Sequence, residues 1–438
     1  LDAASPITEP RRWQVVPLVM VALNVVGIFL AYGATIILAR ELSHLAFDQY
    51  IGAIATLGLF AALAEGGFGK YGLRVIPIYN EAQDGGRIAG YLRFAFLGTL
   101  LLSLLLAIAM IFLAAPLHSG NRRDVVTLAF VYLPSMAGAG VVIDLLLAFR
   151  MPIIAMVISR IVIPATTLLL ILTLTQTMHF NASHAVLCFA SGSVLALLLG
   201  MLFCYRQASP LVGDAEVETN VRGWISESLA FMFFTFMVSW LFRSTLVITH
   251  HMPHGDIGVG LLAPAFETGG LILLLSKSTD KFFQPAVSLY LEANDWRQMS
   301  ILRRDRGLMI GAGIVLFLLV VLFFGKTILG IYGPDFVASY PALCWVAVGS
   351  SMTTLFSLAP TFLLYAGRRR LLTWLLGFHA ALLLVLTVIL YWEFGGTGAA
   401  AAYAVCVTSY SLSNLYFANR EFQTLKSNLR ETDPVAID

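Results

Sequence analysis

From Ile161 to Tyr205 the chain runs without one Asp, Glu, Lys or Arg. A helix needs about 20 apolar residues to cross the hydrocarbon core of a bilayer. The run is too long for one span and is expected to hold two, with its polar middle, Thr175 to His184, as the turn. Trp13 to Ala39 is another stretch with no charge. It exceeds the ~7–15 apolar residues of a signal-peptide core and is expected to be an uncleaved first span. Spans follow near 14–39, 47–65, 92–115, 125–149, 152–175, 184–205, 223–249, 257–277, 307–329, 338–365, 371–392 and 396–419. Composition agrees: 59% of residues are hydrophobic and only 12% charged, against about 25% charged in soluble domains. The fold class is an all-α polytopic membrane protein of about 12 transmembrane helices.

Orientation follows from the Lys and Arg in alternate loops. With the N-terminus in the cytoplasm, 21 of the 27 basic residues fall on that side. Arg40, Arg122, Arg123 and Lys326 fall outside, and Arg160 and Arg243 lie within spans. Both termini are therefore expected to be cytoplasmic, and the longest soluble segments are 66–91, 206–222 and 278–306. Ser209 to Asn220 is polar and acidic, contains Pro210 and Gly213, and reads as a linker between six spans and six spans. The expected division is 1–208, linker 209–222, 223–420 and a cytoplasmic tail 421–438. Asp48-x-x-x-Gly52-x-x-Ala55 and Asp256-x-x-x-Gly260-x-x-Ala263 open spans two and eight. They point to repeated halves, as in many transporters, with each Asp expected to cap a helix.

Chemical motifs are sparse. Cys188, Cys204, Cys344 and Cys406 sit in apolar runs with no metal-ligand spacing. His250, His251 and His254 cluster before span eight and are expected in a solvated loop, with no metal bound. Gly325-Lys-Thr327 has the end of a phosphate-binding loop, but Val320 stands where its first glycine is required. No His-Glu-x-x-His or Gly-x-Ser-x-Gly pattern occurs. The residues point to no enzyme, no cofactor and no nucleic-acid partner.

Several segments carry a resemblance. They are Leu38-Ala-Arg-Glu-Leu42 before Tyr50, Ala64-Glu-Gly-Gly-Phe-Gly69, Gly325-Lys-Thr-Ile-Leu-Gly-Ile-Tyr-Gly333 before Ala338-Ser-Tyr-Pro, Leu363-Leu-Tyr-Ala-Gly-Arg-Arg-Arg370 and Phe394-Gly-Gly-Thr-Gly398. Together they resemble the polysaccharide and O-antigen flippases of the multidrug/oligosaccharidyl-lipid/polysaccharide exporter superfamily. The resemblance implies two six-helix bundles around a central cavity lined largely by spans 1, 2, 7 and 8. It implies export of an undecaprenyl-pyrophosphate-linked oligosaccharide across a bacterial cytoplasmic membrane by alternating access. The implied partners are that substrate, membrane lipids, other polysaccharide-assembly proteins, and H+ or Na+ if an ion gradient drives transport. A multidrug/cation antiporter of the same superfamily is the alternative, and a membrane glycan polymerase or ligase a more distant one.

Charges inside spans are costly and by default functional. Arg243 and Glu267 lie roughly 10 and 16 Å from the outer surface at ~1.5 Å per residue. Two readings stand: an interhelical ion pair, or a cavity-facing arginine that grips a pyrophosphate through its planar fork. Asp144 and Arg160 flank the turn at Arg150 at similar depth and are expected to form a structural ion pair. Lys70, Arg74, Lys277 and Lys281 close spans two and eight. They either ring the cytoplasmic mouth of the cavity or express the ordinary inside bias of positive charge. Gly66, Gly67, Gly69 and Gly72 after Glu65 mark either a hinge or close helix packing. Asn24 is a lone amide in span one that either lines the cavity or bonds a neighbouring helix.

Overall fold

The computed structural model of the protein describes residues 10–113, 120–213, 215–252 and 258–432. Its described residues are helical apart from short connections. Two compact units are present, Leu1–Phe236 and Met237–Asp438. The division falls inside a helix, α10, and not in the polar segment 209–222.

In the first unit α1 is Pro10–Glu41, α2 His44–Ala64, α3 Phe68–Glu81 and α4 Gly85–Leu113. Next come α5 Asn121–Val131, α6 Leu133–Ala148, α7 Pro152–Val157 and α8 Ile163–Thr177, with a π-turn, Ile158–Val162, joining the last two. Helix α9 is Ala182–Val212 and α10 Val221–His251. The second unit continues with α11 Val259–Gly270, α12 Leu273–Glu292 and α13 Trp296–Tyr332. It closes with α14 Tyr340–Leu355, α15 Leu358–Tyr365 and α16 Arg369–Thr432.

Among the described residues nine helices are long and apolar enough to cross a membrane. The pair Arg122–Val131 and Leu133–Ala148, bent by 40° at Tyr132, makes a tenth. Helix α16, with 64 residues, is far longer than one crossing of a bilayer takes, and Gly395, at φ 59 and ψ −144, breaks it into two spans. With α16 divided there, eleven spans are counted among the described residues, against the about 12 predicted. Side chains such as Phe112 on α4 and Phe323 on α13 stay more than 70% exposed. Apolar surface of that kind is tolerated in lipid and marks an interaction site in water.

The turns show how local chemistry sets the boundaries. Asn181 caps α9 by accepting from the His184 amide at 3.0 Å, while its own N–H donates to His184 Nδ1 at 3.3 Å. This reciprocal cap sits in the polar turn predicted from the uncharged run. Ser43, not Asp48, caps α2. Asp48 lies one turn further in and is buried, because Ser43 already satisfies the first free amide. Asp256 lies outside the described residues.

A different pair of segments carries the internal repeat. Tyr79-Asn-Glu-Ala-Gln-Asp84 closes α3, and Tyr290-Leu-Glu-Ala-Asn-Asp295 closes α12. Gln83 has φ 53 and Asn294 φ 56. The Asp84 amide donates to the Tyr79 carbonyl at 2.9 Å, and the Asp295 amide to the Tyr290 carbonyl at 3.0 Å. Each is a helix-ending left-handed turn. Each Asp then caps the next helix, Asp84 on the Arg87 amide and Asp295 on the Gln298 amide, both at 2.9 Å. Segments 66–91 and 278–306, expected as the longest soluble segments, are thus almost wholly helical: each has one such three-residue turn, and 66–91 also begins with the two glycines between α2 and α3.

The polar segment before α10 is docked on the first unit. The Glu218 amide donates to the Gly86 carbonyl at 3.2 Å. At Gly90 the Glu218 carbonyl packs so closely that no Cβ fits. Fully buried Trp224 then plugs the core, with Nε1 donating to the Tyr79 hydroxyl at 3.0 Å and its ring edge-on to Tyr91 at 5.3 Å.

Candidate functional site

In the first unit the charged residues gather where span two breaks. Helix α2 ends at Ala64 and α3 starts at Phe68, with Gly66 and Gly67 between them at φ 60 and 70. Two successive left-handed residues are costly for any side chain but glycine. The Tyr91 hydroxyl donates to the Phe68 carbonyl at 2.6 Å and holds the break shut. One turn on, Lys70 Nζ donates to Asp144 Oδ1 at 2.7 Å, Asp144 being nearly buried and Lys70 partly exposed. Arg74 lies 3.6 Å from Glu227 on an exposed surface.

The expected pair of Asp144 with Arg160 does not form, since Lys70 takes Asp144. Similar depth was the basis for the expectation, but depth does not fix the direction a residue faces around its helix. Asp144 faces α3, where Gly69 leaves room beside its carboxylate. Arg160 sits in the π-turn and is exposed, and its own backbone packs against Gly27 of α1. Asn24 on α1 is half-buried.

The second unit holds a buried network that the sequence reading missed. Arg306 is 3% exposed. Its Nη2 donates to Asp280 Oδ1 at 2.6 Å and to Ser357 Oγ at 2.6 Å, and its Nη1 to the Leu355 carbonyl at 3.0 Å. Ser357 Oγ donates in turn to Asp280 Oδ2 at 2.5 Å. The network joins α12, α13 and the α14–α15 junction. It satisfies both carboxylate oxygens, which a buried ion pair requires. Arg306 was placed among cytoplasmic loop charges. Its spacing from Ile310 and Ile314, all three buried on one stripe of α13, is the signal that would have found it.

Arg243 on α10 is exposed while its neighbours Ser244 and Thr245 are buried. Glu267 on α11 is exposed too, beside Phe266, whose ring packs at 5.3 Å on buried Tyr403. Neither charge is sealed within the packing of the second unit. Lys277 is exposed, and the side chain of Lys281 lies outside the described residues. His250 is buried against His251 in the last turn of α10, at 5.3 Å between rings, so it is not in a solvated loop. His254 lies outside the described residues. Among the described residues no group of three or more His, Cys, Asp or Glu is placed to hold a metal ion.

No protein-family model and no curated protein matches the sequence. Solved structures do. An inward-facing multidrug resistance MATE family transporter of the MOP superfamily aligns with a TM-score of 0.70 at 12% identity, over 94% of this chain and 99% of that one. The lipid II flippase MurJ, in an inward closed conformation, aligns with a TM-score of 0.69 at 13% identity, over 94% and 90%. A MOP superfamily transporter from Pyrococcus furiosus aligns with a TM-score of 0.54 at 13% identity, over 94% and 95%. The chain has the fold of the MOP superfamily transporters.

Proposed function

We propose that the protein is a flippase that moves an undecaprenyl-pyrophosphate-linked oligosaccharide across the bacterial cytoplasmic membrane by alternating access, serving surface polysaccharide or lipopolysaccharide assembly. The observation that carries this reading is Arg243. It is a permanent cation, exposed, and the one charge on α10 between Glu227 and His250, in a chain that shares its fold with a lipid II flippase. A planar guanidinium can grip two phosphate oxygens at once, and an anionic headgroup in hydrocarbon needs such a partner. Lys70, Arg74, Lys277 and Lys281 would add positive charge along the path, and Asn24 and Glu267 polar contacts. H+ or Na+ is the candidate coupling ion, and other polysaccharide-assembly proteins the candidate partners.

Exposed Glu267 and the equally good match to a MATE transporter favour a second reading, a cation-coupled multidrug exporter. Proteoliposomes separate the two. The flippase reading expects translocation of a labelled undecaprenyl-pyrophosphate oligosaccharide, lost in Arg243→Ala, and no efflux of a cationic dye. Dye efflux without lipid translocation would overturn it.

A further inference from the structure

We propose that the second unit binds the phosphate headgroup of an anionic membrane lipid in the cavity between α13, α15 and α16. The proposal does not depend on which substrate is carried. The cavity encloses about 460 Å³, and Arg303, Arg304 and Arg306 line it together with Met299, Leu358 and Phe362. One wall is thus guanidinium and the rest hydrocarbon. A small soluble anion would leave that hydrocarbon unfilled, whereas a lipid phosphate with the start of its acyl chains matches both.

The arginines are held with donors to spare. Arg303 bonds Asn419 Oδ1 and lies over the Phe422 ring at 5.4 Å, which fixes its plane. Arg304 Nε donates to Asp305 Oδ1 at 3.0 Å, and its side chain is 70% exposed. A guanidinium carries five N–H donors, so each keeps several for a phosphate. Arg306 lines the cavity as well, its Nε fully buried and without a hydrogen-bond partner. Among the described residues Asp280 and Asp305 are the carboxylates paired with these three cations, and the cavity keeps net positive charge.

The lipid side is also present. Leu308 and Met309, immediately after the arginines on α13, are exposed apolar side chains. The helix therefore passes from cationic to lipid-facing within one turn, the arrangement of a headgroup site at a membrane boundary. Gly307 lines the cavity, and a Cβ placed on it would meet nothing within 4 Å. A large side chain there would fill the space, on the helix face that Gly307 shares with Arg303 and Arg304.

The test uses the purified full-length protein in a zwitterionic detergent. Binding is titrated with phosphatidylglycerol, phosphatidylcholine and inorganic phosphate, by native mass spectrometry and by thermal midpoint. Wild type is expected to prefer phosphatidylglycerol over phosphatidylcholine by at least about tenfold, because both carry a phosphate but the choline cation of the latter is repelled by the arginines. Gly307→Phe and Arg303→Gln are each expected to lose about tenfold of that preference. Gly33→Phe, at a site equally open on α1, is expected to keep it. Exposed Arg304→Gln carries the test should either cavity variant fail to run as a single species. No preference between the lipids would overturn the proposal. So would an equal response to inorganic phosphate, which would indicate a free-anion site, or unchanged preference in Gly307→Phe or Arg304→Gln.

Discussion

Lys70 Nζ stands 2.7 Å from Asp144 Oδ1, and Gly69, the residue before it, provides the space in which that carboxylate sits. The pair ties α3, the part of span two beyond its break, to α6. Lys70→Met would leave Asp144 buried without its cation. We expect a loss of about 1–3 kcal/mol, read as a lower thermal midpoint in detergent. Lys70→Met with Asp144→Leu is expected to recover most of it, because removing both charges also removes the desolvation cost.

The Arg306–Asp280–Ser357 network is more deeply buried, so its disruption should cost more. Arg306→Met is expected to destabilise by about 3–5 kcal/mol, the range for one stranded buried charge. Ser357→Ala, which removes one hydroxyl of the network, should cost about 1–2 kcal/mol. A double-mutant cycle of Arg306→Met and Asp280→Leu should show strong coupling. Additive effects would mean that the two side chains do not act as a pair.

Gly67 sits at φ 70 with the Ser228 carbonyl and Met232 amide against the place of its absent Cβ. Gly67→Ala therefore combines left-handed strain of about 1 kcal/mol with a backbone clash. It is expected to lower expression of folded protein sharply. Gly33→Ala, where a Cβ meets nothing within 4 Å, should be indistinguishable from wild type by fluorescence-detected size exclusion.

Arg243→Ala is expected to abolish export of surface glycan, by at least about tenfold, while membrane insertion and thermal midpoint stay unchanged. The side chain's exposure is the basis for that separation. Arg243→Lys with intermediate export would show that charge acts with the bidentate fork lost. Normal export by Arg243→Ala would remove the role.

Spans were legible because a bilayer imposes length on any uncharged run, and Asn181 marked a turn because amide caps are local chemistry. What escaped was azimuth and register. Asp144 and Arg160 share a depth, but the π-turn under Arg160 and the bare surface of Gly69 decide who meets whom. Arg306 was counted with the loop charges because its neighbours Arg303, Arg304 and Asp305 are charged, while its apolar partners lie one and two turns on. The repeat was sought at span openings, where Ser43 had displaced Asp48 as the cap. It is preserved at Asp84 and Asp295, where a left-handed turn constrains both residue types. Arg243 and Glu267 stood out as expensive charges, and both are exposed in the second unit.

Segment 209–222 looks like a tether by composition, yet Glu218 and Trp224 fasten it to Gly86 and Tyr79. A gene split at that segment, for co-expression of two halves, would deprive the first half of its aromatic plug and leave Tyr91 facing a void. Separable fragments of this chain are set by the packing of Trp224, and the first must include the start of α10.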